Sequence, residues 1–129
     1  MFDRMVVQKA LKRSWALDTN PTWMPDNPAD GQGSVTSLLI YNIFGGDILK
    51  THKKKGWHFY NRIDGERIDF TRPEMGKSSE GNRFEDLPSS PDEANNYFEQ
   101  EEYSSLFIRF IRAYEEAVGL GKYRPGLTA

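Results

Sequence analysis

Seven large apolar side chains crowd the eleven residues from Ser34 to Phe44: Val35, Leu38, Leu39, Ile40, Tyr41, Ile43 and Phe44. Gly45-Gly46 follows as a stop suited to the unusual backbone at a helix end. A helix that is apolar nearly all round must be covered on most sides. Burying each Leu, Ile or Phe contributes on the order of 1.5–3 kcal/mol, so this segment is expected at the centre of the core with other elements wrapped around it. A chain of 129 residues has room for one such core and not for two. The expectation is a single domain over residues 1–129.

The flanks supply the wrapping. Residues 2–17 place Val6, Val7, Ala10, Leu11 and Trp15 near helical spacing, with Lys9, Lys12 and Arg13 on the other side. This reads as a surface-packed first helix. From Asp18 to Gln32 the composition turns to Thr, Asn, Pro, Asp and Gly, and Pro21, Pro25 and Pro28 each disfavour helix at the preceding residue. It is read as a long ordered loop, a kind that more often carries function than not. Residues 72–91 form a second irregular stretch. Pro91-Asp92-Glu93-Ala94 then opens a C-terminal helix, its acids matching the positive end of the dipole. Leu106, Phe107, Phe110, Ile111 and Tyr114 give that helix its stripe, Gly119 or Gly121 ends it, and residues 123–129 are expected to fray.

The sheet signal lies between. Asp47 to Thr51 reads as a short strand, and Gly56–Ile63 and Glu66–Thr71 are β-branched and aromatic runs joined through Asp64-Gly65, a preferred tight-hairpin dipeptide. With those two residues at the turn centre, Ile63 faces Glu66, Tyr60 faces Asp69 and His58 faces Thr71. Side chains alternate along strands, so His58, Tyr60, Asp69 and Thr71 share one face and His58 and Asp69 are diagonal neighbours. A carboxylate so placed fixes the tautomer of an imidazole. A one-residue bulge would undo this.

Charge and composition narrow the chemistry. Seventeen basic against nineteen acidic residues leave a formal −2, so no global field favours nucleic acid or anionic lipid. Lys53-Lys54-Lys55 is the one basic run, read as a solvated connection between two elements. Without cysteine there is no disulfide, no thiolate metal site and no thiol nucleophile. His52 and His58 are the two histidines and form no helical His-x-x-x-His pair, so no metal and no cofactor is expected. No apolar stretch of about 20 residues and no basic-then-apolar leader is present; a cytoplasmic location without membrane attachment is the expectation.

One position then stands out. Thiol proteases and transglutaminases set Cys at the first turn of a buried helix, where free amides and the dipole favour the thiolate. A strand histidine takes the proton, a polar group orients it, and a preceding glutamine donates to the oxyanion. This chain offers Gln32, then Gly33 where the nucleophile would stand, then His58 and Asp69. Ser34 replaces the nucleophile only if the helix start shifts by one residue, a rotation of about 100°; its other reading is a helix cap. Bland roles exist for the rest: Gln32 bonding its own loop, His58 as a core histidine, Asp69 satisfying nearby amides. Trp15, Trp23, Trp57, Phe59 and Tyr60 are candidates for a groove wall as well as for the core, with Trp23 the best candidate for exposure.

The stretches Gly31-Gln32-Gly33-Ser34-Val35-Thr36-Ser37-Leu38, Phe44-Gly45-Gly46-Asp47-Ile48, His58-Phe59-Tyr60-Asn61 and Asp69-Phe70-Thr71 resemble, in order, motifs of the YunG-like family of small bacterial proteins. They cover roughly residues 8–75. The family pattern has Gly-Gln-Cys where this chain has Gly31-Gln32-Gly33. The resemblance implies an α+β domain of papain-like or transglutaminase-like type, with the buried helix on a small antiparallel sheet between N- and C-terminal helices. It also implies a Cys-His-Asp site, here with Gly33 at the nucleophile position, His58, Asp69, and Gln32 in the oxyanion hole. The functional expectation is an inactivated thiol hydrolase or acyl transferase acting on a peptide or small acyl or amide substrate. The alternative is a non-catalytic module that uses the cleft for a peptide, a small ligand or a protein partner.

Overall fold

Asp3 accepts the backbone N–H groups of Met5 and Val6 at 3.1 and 3.2 Å and so starts the first helix, α1 (Arg4–Ser14). The computed structural model describes residues 2–54, 56–71 and 84–119. In it α1 is followed by α2 (Gly33–Phe44), β1 (Asp47–Lys53), β2 (Gly56–Ile63), β3 (Glu66–Ile68), β4 (Leu87–Pro88), α3 (Pro91–Ala94) and α4 (Gln100–Ala117), a 3-10 turn at Asn95–Tyr97 lying between α3 and α4. The strands form one antiparallel sheet in the order β3-β2-β1-β4. The mixed α+β class with a small antiparallel sheet is as expected.

The central helix is where its composition puts it. Val35, Thr36, Ser37, Leu38, Leu39 and Ile40 are all buried. Val35, Leu39 and Ile40 meet Val7 and Leu11 of α1 and Leu106 and Phe110 of α4, while Leu38 joins Ile48, Phe59 and Ala94 on the sheet side. Two further bonds fix α2. Trp15 Nε1 donates to Thr36 Oγ1 at 2.9 Å, and Asn61 Nδ2 donates to the Ser37 carbonyl at 3.0 Å from β2. At its C-terminal end Gly46 has φ +84°, and a Cβ there would lie 2.2 Å from the Arg62 carbonyl oxygen. The close approach of α2's exit to β2 therefore demands glycine at 46.

Asp64 and Gly65, at φ 54° and 80°, make the tight turn, and Ile63 pairs with Glu66 as the dipeptide predicts. The ladder stops at the pair Asn61 and Ile68, so β3 is shorter than the Glu66–Thr71 run and β2 lacks a β3 partner from Gly56 to Tyr60. Three other elements differ from the sequence reading. Leu87–Pro88 pairs with β1 inside what reads as an irregular stretch, its proline tolerated on an edge. That edge is tied down by Tyr60, whose hydroxyl donates to Asp86 Oδ1 at 2.9 Å and accepts the Asp86 N–H at 2.8 Å. Burial, and next the bond to Asp86, push the Tyr60 phenol above its ordinary range, while the Arg67 guanidinium holds the Asp86 carboxyl below its own.

The C-terminal helix is also broken rather than continuous. Ser90 caps α3 with Pro91 at its start. The chain then turns through Asn95-Asn96-Tyr97, is extended at Phe98, and restarts with Glu102 accepting the Glu99 N–H at 2.9 Å. On α4, Leu106, Phe110 and Ala113 are buried but Phe107 is 40% exposed, so the stripe is narrower than expected. Gly119, at φ +83°, follows the end of α4. Residues 72–83, 120–129 and Lys55 of the lysine run lie outside the described residues.

Candidate functional site

The loop 18–32 reaches α2 through a set of specific bonds. Asn20 Nδ2 donates to the Gly31 carbonyl at 2.6 Å, and Asn20 Oδ1 accepts from the Thr22 N–H and hydroxyl. Gly31 has φ +80°, a conformation that suits glycine. Gln32 is then the N-cap residue of α2, wholly buried and making no cap bond to the helix. Ser34 is therefore not the cap, and since the helix begins at Gly33, the shift that Ser34 would need to replace a nucleophile is not made.

Gln32 does not bond its own loop backbone. Its Oε1 lies 3.0 Å from Thr19 Oγ1, which accepts the Ala16 N–H at 2.9 Å. Thr19 Oγ1 is also 2.9 Å from the Ala16 carbonyl, but that oxygen already accepts the N–H groups of Thr19 and Asn20. With Oε1 placed toward Thr19, the amide nitrogen of Gln32 points the other way. Gln32 Nε2 is left buried with no partner. No side chain caps the amides of the helix's first turn.

Opposite this helix start stands His58 on β2. Its Nε2 lies 2.6 Å from Asp69 Oδ2, so the two expected partners meet, although the strand pairs Tyr60 with Asp69 and His58 with Thr71 are not formed and the ladder ends at Asn61 and Ile68. Asp69 Oδ1 accepts the Thr71 N–H at 3.1 Å and the Thr71 hydroxyl at 3.0 Å, and the Asp69 side chain is only 6% exposed. A carboxylate accepts only, so neutral His58 carries its proton on Nε2 and leaves a lone pair on Nδ1. The Nδ1–Cε1 edge of the ring borders position 33: a Cβ on Gly33 would lie 3.3 Å from His58 Nδ1, 3.4 Å from His58 Cε1 and 3.3 Å from the Phe59 carbonyl oxygen. A cleft of about 380 Å³ opens over this point, lined by Gly33, Ser34, Trp57, His58, Phe59 and Tyr97 and walled on the loop side by residues 27–31.

The aromatic expectations divide. Trp57 and Phe59 line the cleft, whereas Trp15 and Tyr60 are core residues, each with a side-chain partner. Trp23 is half-buried against the main core rather than exposed. Tyr97 was not legible as a cleft residue; it arrives there because the chain turns at Asn95-Asn96, and its ring sits 5.1 Å from Phe59. His52 does not line the cleft; it is bonded to Glu85, and its ring lies 4.1 Å from that of Trp57, tilted by 31°. Among the described residues no three His, Asp or Glu side chains converge as a metal site, and no helix is long and apolar enough to cross a membrane.

The family model described as YunG protein matches residues 3–115, well beyond the 8–75 covered by the motifs. The "Uncharacterized protein YunG" of Bacillus subtilis (strain 168) is 38% identical over 106 residues, spanning 82% of this chain and 90% of that protein. No solved structure matches.

Proposed function

The chain belongs to the YunG family, and from that premise we propose that its cleft is a papain-like acyl-transfer site in which Gly33 occupies the place of the thiol nucleophile. The observation that carries the reading is the 3.3 Å between a Cβ at position 33 and His58 Nδ1, with Nε2 of the same ring held by Asp69 at 2.6 Å. Base, orienting carboxylate and helix start meet at one point, in the relation that thiol activation requires. Gln32 Nε2 and the first-turn amides are the donors for a developing oxyanion. The papain-like or transglutaminase-like assignment rests on this arrangement and on the helix-on-sheet architecture around it.

The thiol route is closed in the chain as it stands, because glycine has nothing to attack with. The cleft remains a place to hold a peptide or a small acyl or amide compound, its carbonyl toward the helix start. Gly33→Cys tests the reading. A Cys at 33 needs both the His58 ring and the Phe59 carbonyl oxygen to yield by a few tenths of an ångström. At pH 6 an ordinary thiol is roughly 0.3% thiolate, given a pKa of about 8.5. The folded Gly33→Cys protein should react with iodoacetamide at that pH at least about ten-fold faster than free cysteine. A rate no higher than that of free cysteine would overturn the proposal.

A further inference from the structure

The ladders fix which way each main-chain group of β2 points, because successive residues of an antiparallel strand turn their N–H and C=O alternately to one neighbour and to the other. The Ser89 N–H donates to the Ile48 carbonyl at 2.9 Å and the His52 N–H to Glu85 Oε1 at 2.8 Å, so the even residues of β1 face β4 and the odd ones face β2. Leu49 pairs with Tyr60 and Thr51 with His58, so the even residues of β2 spend their groups on β1. Its odd residues face the other way, as the tight pair of Ile63 with Glu66 also requires from the β3 side. Trp57 and Phe59 therefore direct N–H and C=O to an edge where, among the described residues, no strand lies. Gly33 stands against the Phe59 carbonyl. Trp57 has no such cover: among the described residues no hydrogen bond reaches its N–H or C=O from that side, and it lines the cleft. The outer edge of β1, by contrast, is closed by β4 and by the Glu85 side chain.

Resting on the acyl-transfer reading above for its chemistry and on these ladders for its geometry, we propose that the cleft takes an extended peptide, laid antiparallel along β2 with one residue paired to Trp57. That residue donates its N–H to the Trp57 carbonyl and accepts the Trp57 N–H, which completes the sheet where its edge is bare. Paired residues share a face of the sheet. The face of Trp57 also carries Phe59, with the ring of Tyr97 5.1 Å from it and Tyr97 itself 50% exposed, so an apolar side chain, aromatic above all, suits the paired position. A small acyl compound without a peptide backbone leaves the Trp57 donor and acceptor unused. A second copy of this chain does not fit: the cleft is only about 380 Å³ and is walled by Gly33 at one end and by residues 27–31 on the loop side, room for a single extended segment and not for a sheet edge with its own strands behind it.

The test uses the unsubstituted protein, labelled with 15N, and the probe acetyl-Ala-Ala-Phe-Ala-Ala-amide. In the free protein the Trp57 amide should exchange with D2O at least about ten-fold faster than the Tyr60 amide, which is spent on Leu49. The peptide should shift the Trp57 amide resonance downfield and slow its exchange. Methylating the Phe nitrogen of the probe removes the donor to Trp57 and should weaken binding at least about ten-fold. Methylating the nitrogen of the following Ala, which faces away from β2, should leave binding unchanged. No shift at Trp57 with about 10 mM peptide, or equal affinities for the three peptides, would overturn the proposal. So would a Trp57 amide as protected as that of Tyr60 in the free protein, because the edge would already be paired, and so would protection that grows with protein concentration alone, because the occupant would be a second copy. A reactive Gly33→Cys thiol beside a failed peptide test would leave the acyl-transfer reading standing and sink the strand pairing. Peptide pairing beside an unreactive thiol would keep the binding site and sink the chemistry.

Discussion

Replacing Asp69 by Asn should invert the tautomer of His58. Asp69 Oδ1 accepts from the Thr71 N–H and hydroxyl, and Oδ2 faces His58 Nε2 at 2.6 Å. The Thr71 backbone N–H can only donate, so an Asn keeps its carbonyl oxygen there and turns its NH2 toward the imidazole. An NH2 also only donates, and Nε2 must then be bare. The proton moves to Nδ1, the nitrogen that faces position 33. Exchange of a charge-assisted bond for a neutral one costs about 1–2 kcal/mol, or a fall in Tm of about 4–8 °C for a domain of this size.

The chemical effect should be larger than the structural one. In a Gly33→Cys background, a ring that already carries a proton on Nδ1 cannot accept one from the thiol, so labelling at pH 6 should drop at least about ten-fold when Asp69→Asn is added, since the thiol returns to its ordinary pKa of about 8.5. The direct measurement is a multiple-bond 15N–1H correlation of the imidazole rings at a pH where histidine is neutral. It should report Nε2–H in the unsubstituted protein and Nδ1–H in the Asp69→Asn variant. A His58 ring protonated on Nδ1 in the unsubstituted protein would refute the argument, because no lone pair would then face the helix.

The Lys50 ammonium, in contact with Glu93, and the Ser89 hydroxyl at 2.7 Å hold the Glu93 carboxyl below its ordinary value of about 4.5. A carboxyl depressed in the folded state stabilises above its unfolded pKa, and that contribution is lost as pH falls through the folded value. Glu93→Gln should therefore be less stable at pH 7, by urea midpoint, with the gap closing below about pH 4.5; a gap constant down to pH 3 would count against the pairing. Gly46→Ala should cost more than about 3 kcal/mol, since left-handed strain of about 1–2 kcal/mol is joined by a Cβ 2.2 Å from the Arg62 oxygen. Gly45→Ala, at φ 86° and ψ −156° with nothing within 4 Å, should show backbone strain of about 1–3 kcal/mol without a clash, and a larger loss at 45 than at 46 in denaturant unfolding would refute the packing argument.

What the sequence made legible was what short-range rules decide. Asp64-Gly65 set the hairpin register as far as Asn61 and Ile68, and His58 and Asp69 meet just beyond the end of that ladder. The apolar run of α2 declared its own burial. What escaped depends on contacts distant in sequence. A two-residue strand at Leu87–Pro88 has no periodicity to read; it forms because Tyr60 and Arg67, 26 and 19 residues earlier, grip Asp86. The break before α4 had local signals in Asn95-Asn96 and in Glu102 three residues after Glu99, but the acidic start at Pro91 masked them as one continuous helix. Tyr97 reached the cleft through that break, and the pairing of Thr19 with Gln32 joins two positions of a loop whose shape no propensity determines.

The three site groups stand differently with respect to the fold, and the difference bears on function. The His58–Asp69 pair stabilises: the carboxylate is tied to Thr71 and the ring to the carboxylate, so a folding argument alone accounts for it. Position 33 is crowded, since a Cβ there would lie 3.3 Å from both His58 Nδ1 and the Phe59 carbonyl oxygen, so packing alone accounts for glycine. Gln32 is the exception. It makes no cap bond to α2, and its Nε2 is a buried donor without a partner, a burden of about 1–3 kcal/mol. A leucine or methionine of similar volume would fill the same space without that burden. Thr19 orients the amide but satisfies only its oxygen. On the acyl-transfer reading proposed above, such a donor beside the first turn of the central helix serves an oxygen atom brought by a ligand, and most of all one on which negative charge is growing.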